Sequence, residues 1–315
     1  MKNKFLLLSF LLLVFSSIIV AQEIKHSPGN YATVNGHKLW YEIEGKGVPV
    51  LLIPGGPGNS HTYFHPWFSE LAKKFNVIYF DAYGRGKSDR AISPDQYSFK
   101  GDVDDIEGLR KALGFDKWDI IGHSYGGMVA QQYALDYPNS VNKLILMSTF
   151  YNGEMWQEND NSSNHEIRNQ YPEVWEKIMK LRNDGESSSS KEHIKAYSVP
   201  SGLLYFYDAS NAYKVRKDSL IMNTNVYYQI AGKDADFLIS GDIGPLDFRA
   251  KLKTLKMPIL ILEGRFDRIS IPRFSIKYKE YAPQAEFVMF EKSGHEMFVE
   301  EPGKTFRVIT EFLQK

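Results

Sequence analysis

Cysteine is absent from all 315 residues, so no disulfide, thiolate metal cluster or lipid-attachment thiol is available to this chain. Its core has to hold it together. Neither sign of charge is in surplus, with 38 Lys and Arg against 38 Asp and Glu. That balance removes the basic footprint of a nucleic-acid binder and the acidic bias of a disordered tail, and leaves small neutral or weakly charged partners as the expectation. No internal repeat is present, which excludes a repeat array.

Long apolar runs are missing except at the start, where M-K-N-K leads into F-L-L-L-S-F-L-L-L-V-F-S-S-I-I-V-A-Q. Residues 1–21 read as a signal peptide, with Ala21 as the small residue at the cleavage point; an uncleaved anchor is the alternative, and the one route by which a membrane enters. Export without cysteine suits a bacterial periplasm or the medium better than a disulfide-stapled secretome.

Beyond that segment the length allows one large α/β domain with an insertion. Asn35-Gly36 between two β-rich runs is a hairpin signal. Short apolar runs then recur as V-P-V-L-L-I, N-V-I-Y-F, W-D-I-I-G, N-K-L-I-L-M, P-I-L-I-L-E and A-E-F-V-M-F, the pattern of buried parallel strands. With the hairpin they make about eight strands. Helical spacing over 63–75, 102–113, 125–137, 273–281 and 302–313 supplies cover for both sheet faces. The rhythm breaks over 151–247, a polar, Tyr- and Asn-rich stretch that reads as an insertion after the sixth strand, leaving 22–150 and 248–315 as the main domain.

The stretch I-G-H-S-Y-G-G places Ser124 between Gly122 and Gly126, after a strand and before a helix. G-x-S-x-G in that context is a nucleophile elbow; the bland alternative is a serine that caps the helix. A serine hydroxyl needs a base, and the base needs an orienting acid, in the chain order Ser, Asp, His. Asp267 follows the seventh predicted strand and His295 the eighth, both at the sheet edge that carries Ser124. Taken singly, they could be a helix cap and a surface residue. An acyl-transfer site also needs donors for the developing oxyanion. The Tyr125 backbone amide is one; the loop P-G-G-P-G supplies the other, Gly56 by preference and Gly55 as fallback.

Two motifs are set aside. G-R-G-K-S at Gly84–Ser88 lacks the first glycine of a phosphate loop, because Asp81 stands there, so it reads as a turn. His61, His65, His165 and His193 form no ligand-spaced pair, so no metal or cofactor is implied.

These marks together resemble the α/β-hydrolases, and within them the proline iminopeptidase group. P-G-G-P-G at Pro54, D-A-Y-G-R-G-K-S from Asp81, G-H-S-Y-G-G from Gly122, G-R-F-D to Asp267 and S-G-H at His295 carry the resemblance, over about 31–147 and 257–314. It implies a mostly parallel eight-stranded sheet with helices on both faces and a helical cap over 151–247. It also implies a serine hydrolase, working through an acyl-enzyme, that releases N-terminal residues, proline preferred. Pro54 replaces the family's loop histidine, and Arg268 stands where some members carry a carboxylate for the substrate amine. The anchor then has to come from the cap, where Glu154, Glu158, Glu166, Glu173 and Glu176 are the candidates, Glu154 and Gly55 being named as substrate-binding. An esterase or lactonase acting on small apolar acyl groups and a non-catalytic binding protein on the same scaffold are the other readings. Oligomeric state is not legible.

Overall fold

The computed structural model of the chain describes residues 28–215 and 222–315; the signal-peptide reading of 1–21 lies outside them. Among the described residues no helix is long and apolar enough to cross a membrane.

Asn35 and Gly36 both take positive φ, 50° and 89°, the left-handed pair that closes a two-residue hairpin. They join β1 (Asn30–Val34) to β2 (His37–Gly45). Then follow β3 (Pro49–Ile53), β4 (Asn76–Phe80), β5 (Trp118–His123), β6 (Val141–Met147), β7 (Ile259–Gly264) and β8 (Glu286–Phe290). They form one eight-stranded sheet in the order β1-β2-β4-β3-β5-β6-β7-β8. Only the β1/β2 and β2/β4 pairs are antiparallel. Alternation along the strands feeds two apolar layers: Ile120, Leu144 and Leu146 join one, Ile121, Ile145 and Met147 the other, as a period of two requires of a sheet covered on both faces. β5 is buried at every residue, so its carboxyl end is a fixed platform.

Two helices flank that platform, α1 (Phe99–Ala112) and α2 (Tyr125–Asp136). Ser98 caps α1 through the Gly101 amide, starting it three residues before the predicted 102. The continuous helix read over 63–75 is instead two 3₁₀ turns, His61–Phe64 and Trp67–Lys73. Pro66 stands between them and has no N–H with which to continue an α-helical ladder. The predicted 273–281 helix likewise divides into Pro272–Ser275 and Tyr278–Tyr281.

After β6 the chain leaves the sheet for α3 (Gly153–Gln170), α4 (Pro172–Asn183), α5 (Lys191–Leu203) and α6 (Thr224–Ala231). Its exit and return are pinned together: Gly153 N–H donates to Leu246 O and Phe248 N–H to Tyr151 O, at 2.9 Å each. Trp156 stacks on Phe150 at 4.8 Å, and Tyr151 packs edge-on against Tyr278 and Tyr281. These aromatics fasten the insertion to the main domain. Tyr207 is exposed and lies against Phe266.

Candidate active site

Between β5 and α2 the backbone at Ser124 takes φ 54° and ψ −124°, a region closed to most L-residues and held only where the surroundings over-determine it. The surroundings are visible. Ser124 N–H donates to Met147 O at 2.9 Å and Thr149 Oγ1 to Ser124 O at 2.6 Å. The flanking glycines are there because nothing larger fits: a Cβ at Gly122 would come to 2.5 Å from Gly126 O, and one at Gly126 to 2.2 Å from Ile53 O. The Ser124 side chain makes no capping hydrogen bond, so the capping alternative fails and the hydroxyl is left for other chemistry.

The loops after β7 and β8 bring two distant residues into contact. Asp267 Oδ2 lies 2.8 Å from His295 Nδ1. Asp267 Oδ1 accepts from the Ile269 and Ser270 amides at 2.7 and 2.8 Å, and Ser270 Oγ donates to Oδ2. Burial works against the Asp267 carboxylate, but the His295 charge and these hydrogen bonds outweigh it and hold the acid down at about 2. His295 is fully buried rather than a surface residue. Burial would lower its pKa, yet Asp267 and then Glu296 raise it. Its outward nitrogen, Nε2, is buried without a hydrogen-bond partner. An oriented base with one free nitrogen therefore lies at the sheet edge that carries the uncapped serine: the ring of His123, the residue before Ser124, is centred 4.8 Å from that of His295.

His123 itself is no rival base, since burial first and then His295 depress it to about 3. Being neutral, it has one ring proton. Its Nε2 faces the His295 carbonyl at 3.2 Å, which can only accept, so Nδ1 is the acceptor for Tyr63 OH at 3.0 Å. Tyr63 oxygen in turn accepts the Gly55 N–H at 2.7 Å. The fallback oxyanion donor is thus already engaged.

Gly56, at φ 38°, and Tyr125, the first residue of α2, have amides with no acceptor among the described residues. A Cβ at Gly55 would stand 2.8 Å from Ser124 Cβ, which places this loop against the serine. Sequence reasoning missed what fastens it. Arg85 lies buried, donating from Nε to Pro57 O and from Nη1 and Nη2 to the two Asp102 oxygens, all at 2.6 Å. Asp102 Oδ2 also accepts Tyr125 OH at 2.6 Å. The D-A-Y-G-R-G-K-S turn is therefore a strut under both amides. Asp81 shapes it, accepting from the His61 and Lys87 amides at 2.9 Å each.

A family model described as the alpha/beta hydrolase fold matches residues 48–302. The chain belongs to the alpha/beta hydrolase family. The proline iminopeptidase of Heyndrickxia coagulans is 30% identical over 274 residues, covering 87% of this hydrolase and 93% of that protein. Among solved structures, the proline iminopeptidase of Mycobacterium smegmatis superposes with a TM-score of 0.72 at 19% identity, over 91% of this chain and 98% of that one. An esterase from Exiguobacterium antarcticum gives 0.67 at 22% identity, over 91% and 100%. At those identities the two structures speak for the fold.

The insertion after β6 carries both exposed and buried acids. Glu154, Glu158, Glu173 and Glu176 are exposed, and Glu154 pairs with Arg249 at 3.3 Å on the outside. Glu166 takes a hydrogen bond from Gln170 one helical turn along. Among the described residues none of the five is hydrogen-bonded to Ser124, Asp267 or His295. Asp160 on α3 and Asp236 after α6 are the acids enclosed by the cap. Asp236 contacts His193 Nε2 at 3.1 Å and Tyr228 OH at 3.4 Å. Burial lifts both above the usual carboxylate range; Asp236 adds to the rise at Asp160, while His193 pulls Asp236 partway back. Tyr205, on the same insertion, reaches the site, its ring 5.0 Å from that of His295 and its carbonyl accepting the His295 N–H at 2.7 Å. Its phenol feels burial first, then Glu296, Asp160, Asp267 and Asp236. Arg268 turns away, donating to the Leu203 and Phe206 carbonyls at 3.1 Å each, where it holds the cap down.

Proposed function

We propose that this hydrolase is a serine enzyme of proline iminopeptidase type, removing the N-terminal residue, proline preferred, from short peptides or small amides through an acyl-enzyme. Ser124 Oγ attacks the carbonyl and His295 Nε2 takes its proton. Asp267 holds the imidazole tautomer and stabilises the cation, and the Gly56 and Tyr125 amides receive the oxyanion. Water repeats the cycle on the acyl-enzyme.

The observation that carries the peptidase reading is the pair of acids Asp160 and Asp236, whose carboxyls burial raises, on the insertion whose Tyr205 ring lies 5.0 Å from that of His295. Two carboxyls raised by burial regain their ionised forms when a cation comes between them, so an α-ammonium is the group this part of the cap is built to receive. The similarity to proteins called proline iminopeptidases supports the same reading. An aminoacyl and acyl chromogenic panel tests it. Turnover of prolyl and other aminoacyl amides, lost on N-acetylation of the substrate, is the expected result. Preference for short acyl esters over every aminoacyl amide makes the enzyme an esterase or lactonase instead. Failure of a fluorophosphonate to label Ser124 makes it a binding protein. Export to a periplasm or the medium goes with this proposal, and appearance of a processed chain outside the cytoplasm checks it.

A further inference from the structure

Behind the oxyanion loop, on the antiparallel side of the sheet, lies a second group of chemically capable side chains that the hydrolytic site does not use. Glu42 and Glu44 stand two apart on β2 and so share a face. His61 and His65, four apart, begin and follow the 3₁₀ turn after that loop. The sequence alone offers no ligand-spaced histidine pair, because the third group, Glu42, comes from a distant strand. In the fold, His61 Nε2 lies 3.2 Å from Glu42 Oε1, and His65 Nε2 lies 3.5 Å from Glu42 Oε2. One ligand atom from each of Glu42, His61 and His65 falls within a 4.8 Å span. Their side chains are 1%, 1% and 0% exposed.

We propose that Glu42, His61 and His65 supply three ligands of a site for a divalent transition ion of the zinc class, the fourth position being left to a water molecule. Two imidazoles and one carboxylate are a borderline donor set that suits Zn²⁺ over Mg²⁺ or Ca²⁺. Ligands about 2.0 Å from a tetrahedral ion stand about 3.3 Å apart; each histidine already lies at 3.2 or 3.5 Å from one of the two Glu42 oxygens, and a small side-chain adjustment within the 4.8 Å span brings one atom from each residue onto an ion. The surroundings are those of a ligand shell. His61 Nδ1 is 2.8 Å from Asp81 Oδ1, the carboxylate on the remote nitrogen that fixes a metal-bound imidazole. Asp81 is itself fixed by two backbone amides. Trp40 Nε1 donates to Glu42 at 3.1 Å, and the His65 ring stacks on Tyr79 at 4.1 Å. A dication among Glu42 and Asp81 with neutral imidazoles also leaves no net buried charge.

The consequence reaches the hydrolytic site through one residue. Tyr63 lies between the two histidines, and its oxygen accepts the Gly55 N–H. An ion that joins β2 to this turn stiffens the turn that orients the oxyanion loop. It takes no part in bond making. A proton is the competing occupant, because Asp81 and Glu42 outweigh burial at His61 and hold its pKa up at about 9; proton and metal cannot share Nε2.

The test uses the full chain made with Zn²⁺ in the medium, exchanged against a weak chelator, and assayed for metal by mass spectrometry. Ser124→Ala serves as a control that leaves the cluster intact. Wild type and S124A retain about one zinc per chain, His65→Gln and Glu42→Gln retain none, and stripping with a strong chelator lowers Tm in the first two only. Co²⁺ added to stripped wild type gives the intense visible band of four-coordinate cobalt, and this reading stands even if both variants fail to fold. Zinc in wild type no higher than in H65Q, or a cobalt spectrum no different from the aqua ion, overturns the proposal and leaves a proton-bridged cluster.

Discussion

Arg85 and Asp102 meet in two parallel hydrogen bonds of 2.6 Å, buried beneath the loop and the elbow that supply the Gly56 and Tyr125 amides. Loop and elbow come from segments 68 residues apart in sequence, Pro57 to Tyr125, yet both end on this one ion pair through Pro57 O and Tyr125 OH. A buried pair of this kind is weak evidence for added stability, since desolvation offsets much of its attraction, and its better-attested use is to fix one arrangement.

Tyr125→Phe isolates that positional role. It removes the hydroxyl's bond to Asp102 while keeping the ring, the amide and the ion pair. Loss of one hydrogen bond to a charged acceptor costs about 1.5–3 kcal/mol. The expected result is a roughly tenfold lower kcat with KM near wild type, because only the oxyanion contact is loosened. Steady-state kinetics on an aminoacyl amide checks it. A change in KM alone would mean that the tyrosine contacts substrate.

Ser124 carries two separable consequences of one backbone conformation. Ser124→Ala removes the nucleophile and lowers kcat by about 10⁴–10⁶ with the fold retained. Ser124→Gly is equally inactive, but it is more stable than S124A by about 1 kcal/mol, since glycine relieves the strain at φ 54°. Urea denaturation of the two dead variants reads the difference. Equal stabilities would show that the elbow stores no strain.

The cap acids separate peptide from ester chemistry. Asp160→Asn and Asp236→Asn each remove one ionisable partner from the proposed ammonium pocket. KM for prolyl amides rises roughly 10- to 100-fold, the equivalent of one charge-assisted hydrogen bond, while hydrolysis of an uncharged acyl ester is unchanged. Parallel losses on both substrates would instead assign these residues to cap folding.

How much of this was readable from the chain divides along a physical line. Alternating strands and helices and the elbow are local patterns that short-range sterics write into adjacent residues, and Asp267 and His295 are legible because each closely follows the end of a strand. Among the acids of the insertion a polar helix gives no sign of which faces inward: Glu154, Glu158, Glu173 and Glu176 lie exposed, and Asp160 and Asp236 stand out only once the fold raises their carboxyls by burial. Tyr63, His123 and Arg85 were likewise invisible as a set, since their links run between segments far apart in sequence. His61 and His65 gain their meaning only from Glu42, which lies 19 residues before His61 on β2 and meets both through the fold.

Glu296 gives the hydrolase a pH dependence whose sign is fixed. Its carboxyl follows His295 directly, and burial first, then Asp267 and Glu300 against the pull of His295, raise it from 4.5 to about 7. Between those two values the folded chain keeps a proton that the unfolded chain has released. More protons bound in the native state means that stability falls as pH rises through this window and levels off above about 7. At 1.36 kcal/mol per pKa unit the whole effect is about 3 kcal/mol. Glu296→Gln has no proton to lose. Its stability relative to wild type should therefore climb from near zero at the acid end to a few kcal/mol at neutrality, read from urea midpoints across the range. Curves that run parallel would show that Glu296 is solvated in the folded chain, and would remove it from the charges that act on His295.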